Sequence, residues 1–194
     1  MNCVQTHTGL LVSLSDPQPG TIYIRDIACS LSRLNRYSGA TQLPVNVACH
    51  SLNVVRFLAM KKAPPIVQMY GLLHDAHECY IGDITEPMRR EIAAYATFDV
   101  VGRIAERLDR AIATAFGFAD VPSFGAMAWV RSADQAVFAA EWRDLMRSRC
   151  PLDIEPAPFA IKPRNADKAE EEFLRTFDRL QIEIPPVARG FIDE

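Results

Sequence analysis

The chain has 194 residues, of which 49% are apolar and 23% are charged, which suits a single globular domain with a buried core. Its 24 acidic residues outnumber its 21 lysines and arginines, so the broad basic field of a general nucleic-acid binder is missing. No apolar run approaches the roughly 20 residues that cross a membrane, and the amino terminus lacks a signal-peptide pattern. The five cysteines show no CxxC spacing. We therefore expect no disulfide framework and a cytoplasmic protein.

Residues 1–24 differ in composition from the rest of the chain. The segment Cys3–Leu14 is rich in Val, Thr and Leu and is interrupted by Thr8-Gly9. The cluster Asp16–Gly20 is typical of a turn. A short β-hairpin or an extended arm is expected here.

From Arg25 onward, apolar residues recur at helical spacing. This pattern predicts helices over residues 26–34, 45–60, 66–80, 92–116, 123–147 and 166–180. Glycine and proline predict loops at 35–44, 81–87 and 150–163. Gly117 is expected to end the fourth helix, and Pro185-Pro186 to end the last one before a loose tail.

The predicted fold class is all-α: a helical bundle with one core and a possible short N-terminal β-hairpin. We expect a single domain over residues 1–194. Within it, residues 25–150 form the helical core and residues 164–182 form a C-terminal helix.

His50 lies on an apolar face of its predicted helix. Val47 precedes it by three residues and Val54 follows it by four. An imidazole in that position needs a polar partner, because its desolvation otherwise costs roughly a few kcal/mol. A lone histidine in such a place is usually a hydrogen-bonded core residue, so the argument for a site depends on what surrounds His50.

His74-Asp75 lies in the next predicted helix, directly after Leu72-Leu73. Neighbouring residues on a helix point about 100° apart, so these two can hold one ion that lies between their directions. Glu78 follows His74 by four residues and reaches the same side. This segment therefore offers an imidazole and two carboxylates to one point.

Asp134 also lies on an apolar stripe, between Val130 and Val137. A carboxylate there must be paired or must coordinate a metal, because an isolated buried charge is very costly. A salt bridge to Arg131 or Arg103 is the alternative to coordination.

Together, these residues form a ligand set of two imidazoles and two carboxylates: His50, His74, Asp75 and Asp134. Such a set suits one divalent transition metal, namely Zn²⁺, Mn²⁺, Fe²⁺, Co²⁺ or Ni²⁺. It also leaves room for a water molecule, which a metal ion can activate as a nucleophile near neutral pH.

The order of these ligands resembles the H…HD…D signature of the HD-domain phosphohydrolases. The segment His74–Pro87 (HDAHECYIGDITEP) is similar to the HDAxE…GD…P stretch of bacterial 5'-deoxynucleotidases and of small phage HD hydrolases, such as the dATP triphosphohydrolases. Upstream, Arg36–Gly39 (RYSG) and Val47–Ser51 (VACHS) resemble the R[WYF]…VAEHS segment of that group. The resemblance covers residues 25–146 and implies an HD-domain fold.

The resemblance implies a role for each matching residue. The metal ligands would be His50, His74, Asp75 and Asp134. Glu78 would orient or deprotonate the attacking water, and Asp83 would act near the phosphate or the leaving group. Arg36 would bind phosphate, with Arg89 or Lys61 as helpers, although surface charge explains the Arg89-Arg90 pair equally well.

Three positions depart from the family pattern. Tyr37 stands where the deoxynucleotidases carry Trp, and would border the sugar or the base. Cys49 replaces the usual Glu before the first histidine, so a contact behind that histidine is expected to be missing. His77 lies outside the pattern and is expected to be an outward polar residue.

The implied activity is metal-dependent hydrolysis of a (deoxy)nucleotide by a 5'-deoxynucleotidase or a dNTP triphosphohydrolase. The implied partners are a small nucleotide and further copies of the chain in a homo-oligomer, with no nucleic acid and no membrane. A non-catalytic nucleotide sensor or interaction module with a structural metal is the alternative from another class, and Glu78 and Arg36 argue against it. A cyclic-nucleotide or alarmone hydrolase is a third possibility, against which the Arg36-Tyr37 segment and the compact size argue.

Overall fold

The N-terminal segment forms the expected hairpin, which is tied to the first helix. In the computed structural model, which describes residues 2–118 and 122–185, strands β1 (Cys3–Gln5) and β2 (Leu11–Ser13) pair antiparallel. The connecting turn contains Gly9 at φ +88°. Thr8 donates from its backbone N and from Oγ1 to the buried carboxylate of Asp26, at 2.7 and 2.8 Å.

Helices make up most of the remaining structure. They are α1 (Ile24–Arg33), α2 (Val47–Met60), α3 (Pro65–Leu73), α4 (Glu78–Ile81), α5 (Glu86–Ala96), α6 (Val100–Ala115), α7 (Phe124–Leu145) and α8 (Ala166–Glu183). Side chains that cap amino termini fix the start of α2, α6, α7 and α8; these are Asn46, Asp99, Ser123 and Asn165. The prediction of an all-α fold with a short hairpin is confirmed.

The prediction of one continuous helix over residues 92–116 is wrong, because the structure divides this segment between two helices. Helix α5 ends at Ala96, and Thr97 adopts a left-handed conformation at φ +63°. Asp99 then caps α6 by accepting a hydrogen bond from the backbone N of Gly102 at 2.8 Å. The apolar spacing continues across this break, so periodicity alone did not reveal it. Gly117 follows α6 at φ +71°, as expected for a helix stop.

The helix predicted over residues 66–80 is also divided, at the centre of the candidate site. Helix α3 ends at Leu73, and α4 begins only at Glu78. Between them, the backbone N of Ala76 donates to the carbonyl of Leu73 at 2.9 Å, which is a tighter i to i+3 turn. His74-Asp75 therefore lies at the carboxyl end of α3 and not within a continuous helix.

Helix α2 runs through the interior. Its side chains from Val47 to Val55 are buried on every face, which is the mark of a central helix. One face of α2 packs with α1, α3 and α8, and the other packs with α3, α7 and the loop residues Ala157, Phe159 and Ile161. The candidate site lies where α2, the end of α3 and α7 meet.

Pro186 and the tail after it lie outside the described residues, so the predictions made for them are not addressed. Within residues 2–118 and 122–185, none of the helices has both the length and the apolarity that crossing a bilayer requires.

The close approach of α2 and α3 depends on Gly71. A Cβ at this position would collide with the buried Leu58 side chain and would lie 3.2 Å from Cγ1 of Val54. Gly71→Ala should destabilise the fold by about 1–2 kcal/mol net, because overpacking costs more than the gain in helix propensity returns. Chemical denaturation measures this difference.

Gly125→Ala in α7 is the matched control. Among the described residues, no atom lies within 4 Å of a Cβ built there. This variant should be as stable as the wild type or more so. A Gly71→Ala variant that also matches or exceeds the wild type would contradict the packing argument.

Candidate metal centre

His50, His74 and Asp134 bring their ligand atoms within 4.8 Å of one another. They come from the first turn of α2, the end of α3 and the middle of α7. Nε2 of His50 lies 3.0 Å from Oδ1 of Asp134, and Nε2 of His74 lies 3.9 Å from the same oxygen. Three separate segments therefore meet at one point.

Asp75 belongs to the same cluster. Its Oδ2 lies 3.1 Å from Nε2 of His74 and 4.0 Å from Nε2 of His50. The structure thus brings together all four residues that the sequence singled out as ligands. The salt bridge considered for Asp134 is not observed: in the described part of the chain, Asp134 contacts the two histidines and neither Arg131 nor Arg103.

Both histidines are oriented in the same way. Nδ1 of His50 donates to Oε1 of Glu141 at 2.9 Å, and Nδ1 of His74 donates to the carbonyl of Gly71 at 2.9 Å. A hydrogen bond on one ring nitrogen sets which nitrogen is free to bind a metal. In each ring, Nε2 is the atom that faces the cluster.

The sequence analysis did not identify Glu141, which is completely buried in α7. Its carboxylate accepts from Nδ1 of His50, from Nε of Arg36 at 3.1 Å and from the hydroxyl of Tyr37 at 2.7 Å. The available signal was its position: seven residues after Asp134, it lies two turns further along the same face of α7.

Glu141 also corrects the expectation attached to Cys49. Nδ1 of His50 does have a hydrogen-bond partner, but that partner is Glu141 of α7 and not the residue before His50. The buried Cys49 thiol instead contacts Nη1 of Arg164 at 3.2 Å. The loop before α8 is joined to α2 in this way.

Arg36 and Tyr37 lie in a strained turn beside the cluster. Tyr37 and Ser38 both adopt left-handed backbone angles, at φ +56° and +52°, although neither is glycine. Such strain persists where surrounding contacts impose it, and it concentrates at functional sites. Here Glu141 accepts hydrogen bonds from the side chains of Arg36 and Tyr37, and Nη1 of Arg36 lies 3.5 Å from Oδ2 of Asp75.

The Tyr37 ring packs against Phe138 and Trp142, with ring centroids 6.0 and 5.9 Å away. Together with the hydroxyl bond to Glu141, this packing shows that Tyr37 secures the turn. Its contact with a sugar or base stays a prediction.

Glu78 and Asp83 lie on the side of the cluster next to this turn. Oδ2 of Asp83 accepts from the backbone N of Tyr37 at 3.2 Å. Oε2 of Glu78 is buried, and no described residue hydrogen-bonds to it. Burial, followed by the charges of Asp75 and Asp83, raises the pKa of Glu78 to about 9.

The charges in the cluster are unbalanced. Within the described residues, one guanidinium, that of Arg36, is surrounded by several carboxylates: Asp75, Glu78, Asp83, Asp134 and Glu141. Burial opposes the imidazolium form of His74, yet the charge of Asp75 raises the pKa of His74 to about 9. The same pairing holds the pKa of Asp75 well below its ordinary value despite burial. The cluster therefore favours added positive charge, which protons on His74 and Glu78 supply at neutral pH and which a divalent cation can supply in their place.

A divalent cation fits these residues. Nε2 of His74 is buried and lacks a hydrogen-bond partner among the described residues, although it lies 3.1 Å from Asp75. Because no hydrogen bond joins them, Nε2 of His74 and Oδ2 of Asp75 can both face one cation. Two imidazoles and two carboxylates are also a donor set that Zn²⁺, Mn²⁺, Fe²⁺, Co²⁺ and Ni²⁺ accept.

Other residues considered in the sequence analysis lie in different surroundings. Arg89 forms an ion pair with Asp99 at 2.6 Å, and Lys61 lies over the Phe57 ring at 5.4 Å. Neither shows a contact with the cluster in the described residues, so their part in phosphate binding stays a prediction. The expectation for His77 is wrong: only 18% of its side chain is exposed, and its Nδ1 donates to Asp109 at 2.9 Å.

No protein-family model matches the chain. The chain is 30% identical over 145 residues to the uncharacterized protein YfdR of Escherichia coli (strain K12), a match that covers 75% of the chain and 73% of YfdR. The chain belongs to the YfdR family. An uncharacterized protein of Rhodobacter capsulatus is 34% identical over 117 residues, which are 57% of the chain and 56% of that protein. Neither name assigns an activity, so the function must be argued from the geometry of the site.

Glu141→Gln should weaken the binding of Mn²⁺ or Co²⁺ by about 10- to 100-fold, because the residue that orients a ligating histidine contributes that much to affinity. The substitution keeps the volume but removes the charge that holds Nδ1 of His50. Competition against a metal chelator measures the change. Glu171→Gln, at an exposed position of α8, is the control. Equal affinity in both variants would contradict the role given to Glu141.

Proposed function

We propose that the chain is an HD-type, metal-dependent phosphohydrolase that cleaves a phosphate bond of a (deoxy)nucleotide. The observation that supports this best is the convergence of His50, His74, Asp75 and Asp134 beside Arg36. The Asp134 side chain is 38% exposed, so a ligand can reach the cluster from solvent.

The four ligands would hold the cation, which when bound supplies a Lewis acid and lowers the pKa of a water molecule. The protein's own groups do the remaining work. Arg36 neutralises charge on the phosphate oxygens, and its position is fixed because Nε is held by Glu141. The guanidinium has five N–H groups, so these contacts leave donors for a phosphate.

Glu78 accepts the proton of the attacking water through Oε2, which is buried next to Asp75. With a cation held at the cluster, Glu78 would be ionised more readily, because the charges of Asp75 and Asp83 would then be offset. Asp83, which accepts from the backbone N of Tyr37, would contact the phosphate or the leaving group.

A catalytic site explains more of the residues than a structural metal site does. A structural site requires ligands with closed coordination. It does not require a buried acid without a partner, such as Glu78, or a guanidinium held against the ligands, such as Arg36. The choice between a nucleoside monophosphate and a triphosphate depends on which phosphorus lies at the cluster, and the resemblance to HD hydrolases favours deoxynucleotides.

Asp75→Ala should lose both bound metal and turnover, because Asp75 is a ligand that also neutralises His74 and Arg36. The assay uses dNMPs, NMPs and dNTPs with Mn²⁺, Co²⁺, Zn²⁺ or Mg²⁺, and it quantifies both released phosphate and released triphosphate. Asp153→Ala, in an exposed loop, should keep both properties. Full activity in Asp75→Ala, or no hydrolysis of any nucleotide by the metal-loaded wild type, would contradict the proposal.

Glu78→Gln should keep the metal but reduce kcat by about 10²-fold or more, as expected when a general base is removed. The amide preserves the shape of the side chain and cannot accept the proton. Metal content and kcat are measured on the same preparation. An unchanged kcat with metal bound would show that another group takes the proton.

A further inference from the structure

A cavity of about 150 Å³ adjoins the cluster, and His74 forms part of its wall. The other side chains that define it come from α3, α6, α7 and the segment after α6. We name it the ring cavity; its defining residues are Tyr70, Asp109, Ile112, Ala113, Phe118 and Val130. Met127, which is partly exposed, lies at its edge.

The ring cavity is one helical turn away from the metal ligands along two helices. Tyr70 precedes His74 by four residues, and Val130 precedes Asp134 by four. One turn of an α-helix spans about 5.4 Å. A ligand whose phosphate lies at the cluster can therefore extend its other end into the cavity.

The walls of the cavity suit a flat, weakly polar ring. Tyr70 and Phe118 meet edge to face, with ring centroids 6.3 Å apart, and Ile112 and Val130 add buried aliphatic surface. Asp109 contributes a hydrogen-bond acceptor, which His77 orients by donating to its Oδ1. Nucleobases combine an aromatic face with ring-edge N–H donors, so they match both features.

We propose that the ring cavity binds the base of the substrate nucleotide and that it takes a single six-membered ring, which makes pyrimidine nucleotides the preferred substrates. The inference rests on the proposed function for the placement of the phosphate. The size limit follows from the volume of about 150 Å³ that the mainly apolar walls enclose, since a void of that volume accommodates one benzene-sized ring. A purine adds a fused second ring. His77 is then a positioning residue for Asp109.

The test measures the binding of nucleosides, which carry a base but no phosphate, so its result does not depend on cleavage. Thymidine and deoxyadenosine are titrated into the metal-loaded protein, and binding is followed by NMR. We expect thymidine to bind about tenfold more tightly or better, because base–aromatic contacts contribute on that scale. Equal binding, or tighter binding of deoxyadenosine, would overturn the proposal.

Two substitutions in the wall of the ring cavity, with one control outside it, test whether the base binds there. Ala113→Leu fills the cavity and should weaken thymidine binding about tenfold, whereas the matched Ala94→Leu, on the exposed face of α5, should not. Ile112→Ala enlarges the cavity and should improve deoxyadenosine binding relative to thymidine. Thymidine binding that is the same in all variants would overturn the proposal.

The nucleotide assay separates this inference from the proposed function. If thymidine binds as expected but no nucleotide is cleaved, the ring cavity is supported and the hydrolase is not. If dTMP and dAMP, or the corresponding triphosphates, are cleaved with equal kcat/KM, the hydrolase is supported and the ring cavity is overturned.

Discussion

Glu141 places a negative charge in the interior of α7, and three neighbouring groups compensate it. His50 donates from α2, while Arg36 and Tyr37 donate from the strained turn before that helix. A buried carboxylate that loses its partners destabilises a protein by several kcal/mol, so these contacts constrain one another. Because Glu141 accepts from a candidate metal ligand and from the candidate phosphate ligand, one buried charge fixes the relative position of both.

The burial of the first part of α2 determines both the packing of the core and the electrostatics of the cluster. The segment Val47–Val55 of α2 is buried on all sides, so the imidazole of His50 is held without freedom to rotate toward solvent. The same burial limits the stabilisation of the nearby carboxylates by water, so protons on His74 and Glu78 supplement the guanidinium of Arg36 in balancing their charge. A cation bound by the four proposed ligands would take the place of these protons. The charge distribution of this site is therefore compatible with a bound cation.

Much of the fold and the clustering of the four candidate ligands could be predicted from the sequence. A histidine or an aspartate on an apolar stripe is conspicuous, and His50 and Asp134 were found in that way. Glu141 was missed because its partners come from a distant turn, and only its spacing of seven residues from Asp134 pointed to it. The breaks after Leu73 and Ala96 were missed because the apolar spacing continues across them. The ion pair of Arg89 with Asp99 depends on how α5 meets α6, which local sequence does not determine.

The central claim is that two imidazoles and two carboxylates share one cation. Crystals grown with Mn²⁺ test it most directly, through the anomalous scattering of the metal. The account predicts one strong peak at coordination distance, about 2.0–2.2 Å, from Nε2 of both His50 and His74 and from oxygens of Asp75 and Asp134. A protein saturated with Mn²⁺ that shows no peak at this position, or that binds the metal through other side chains, would contradict it.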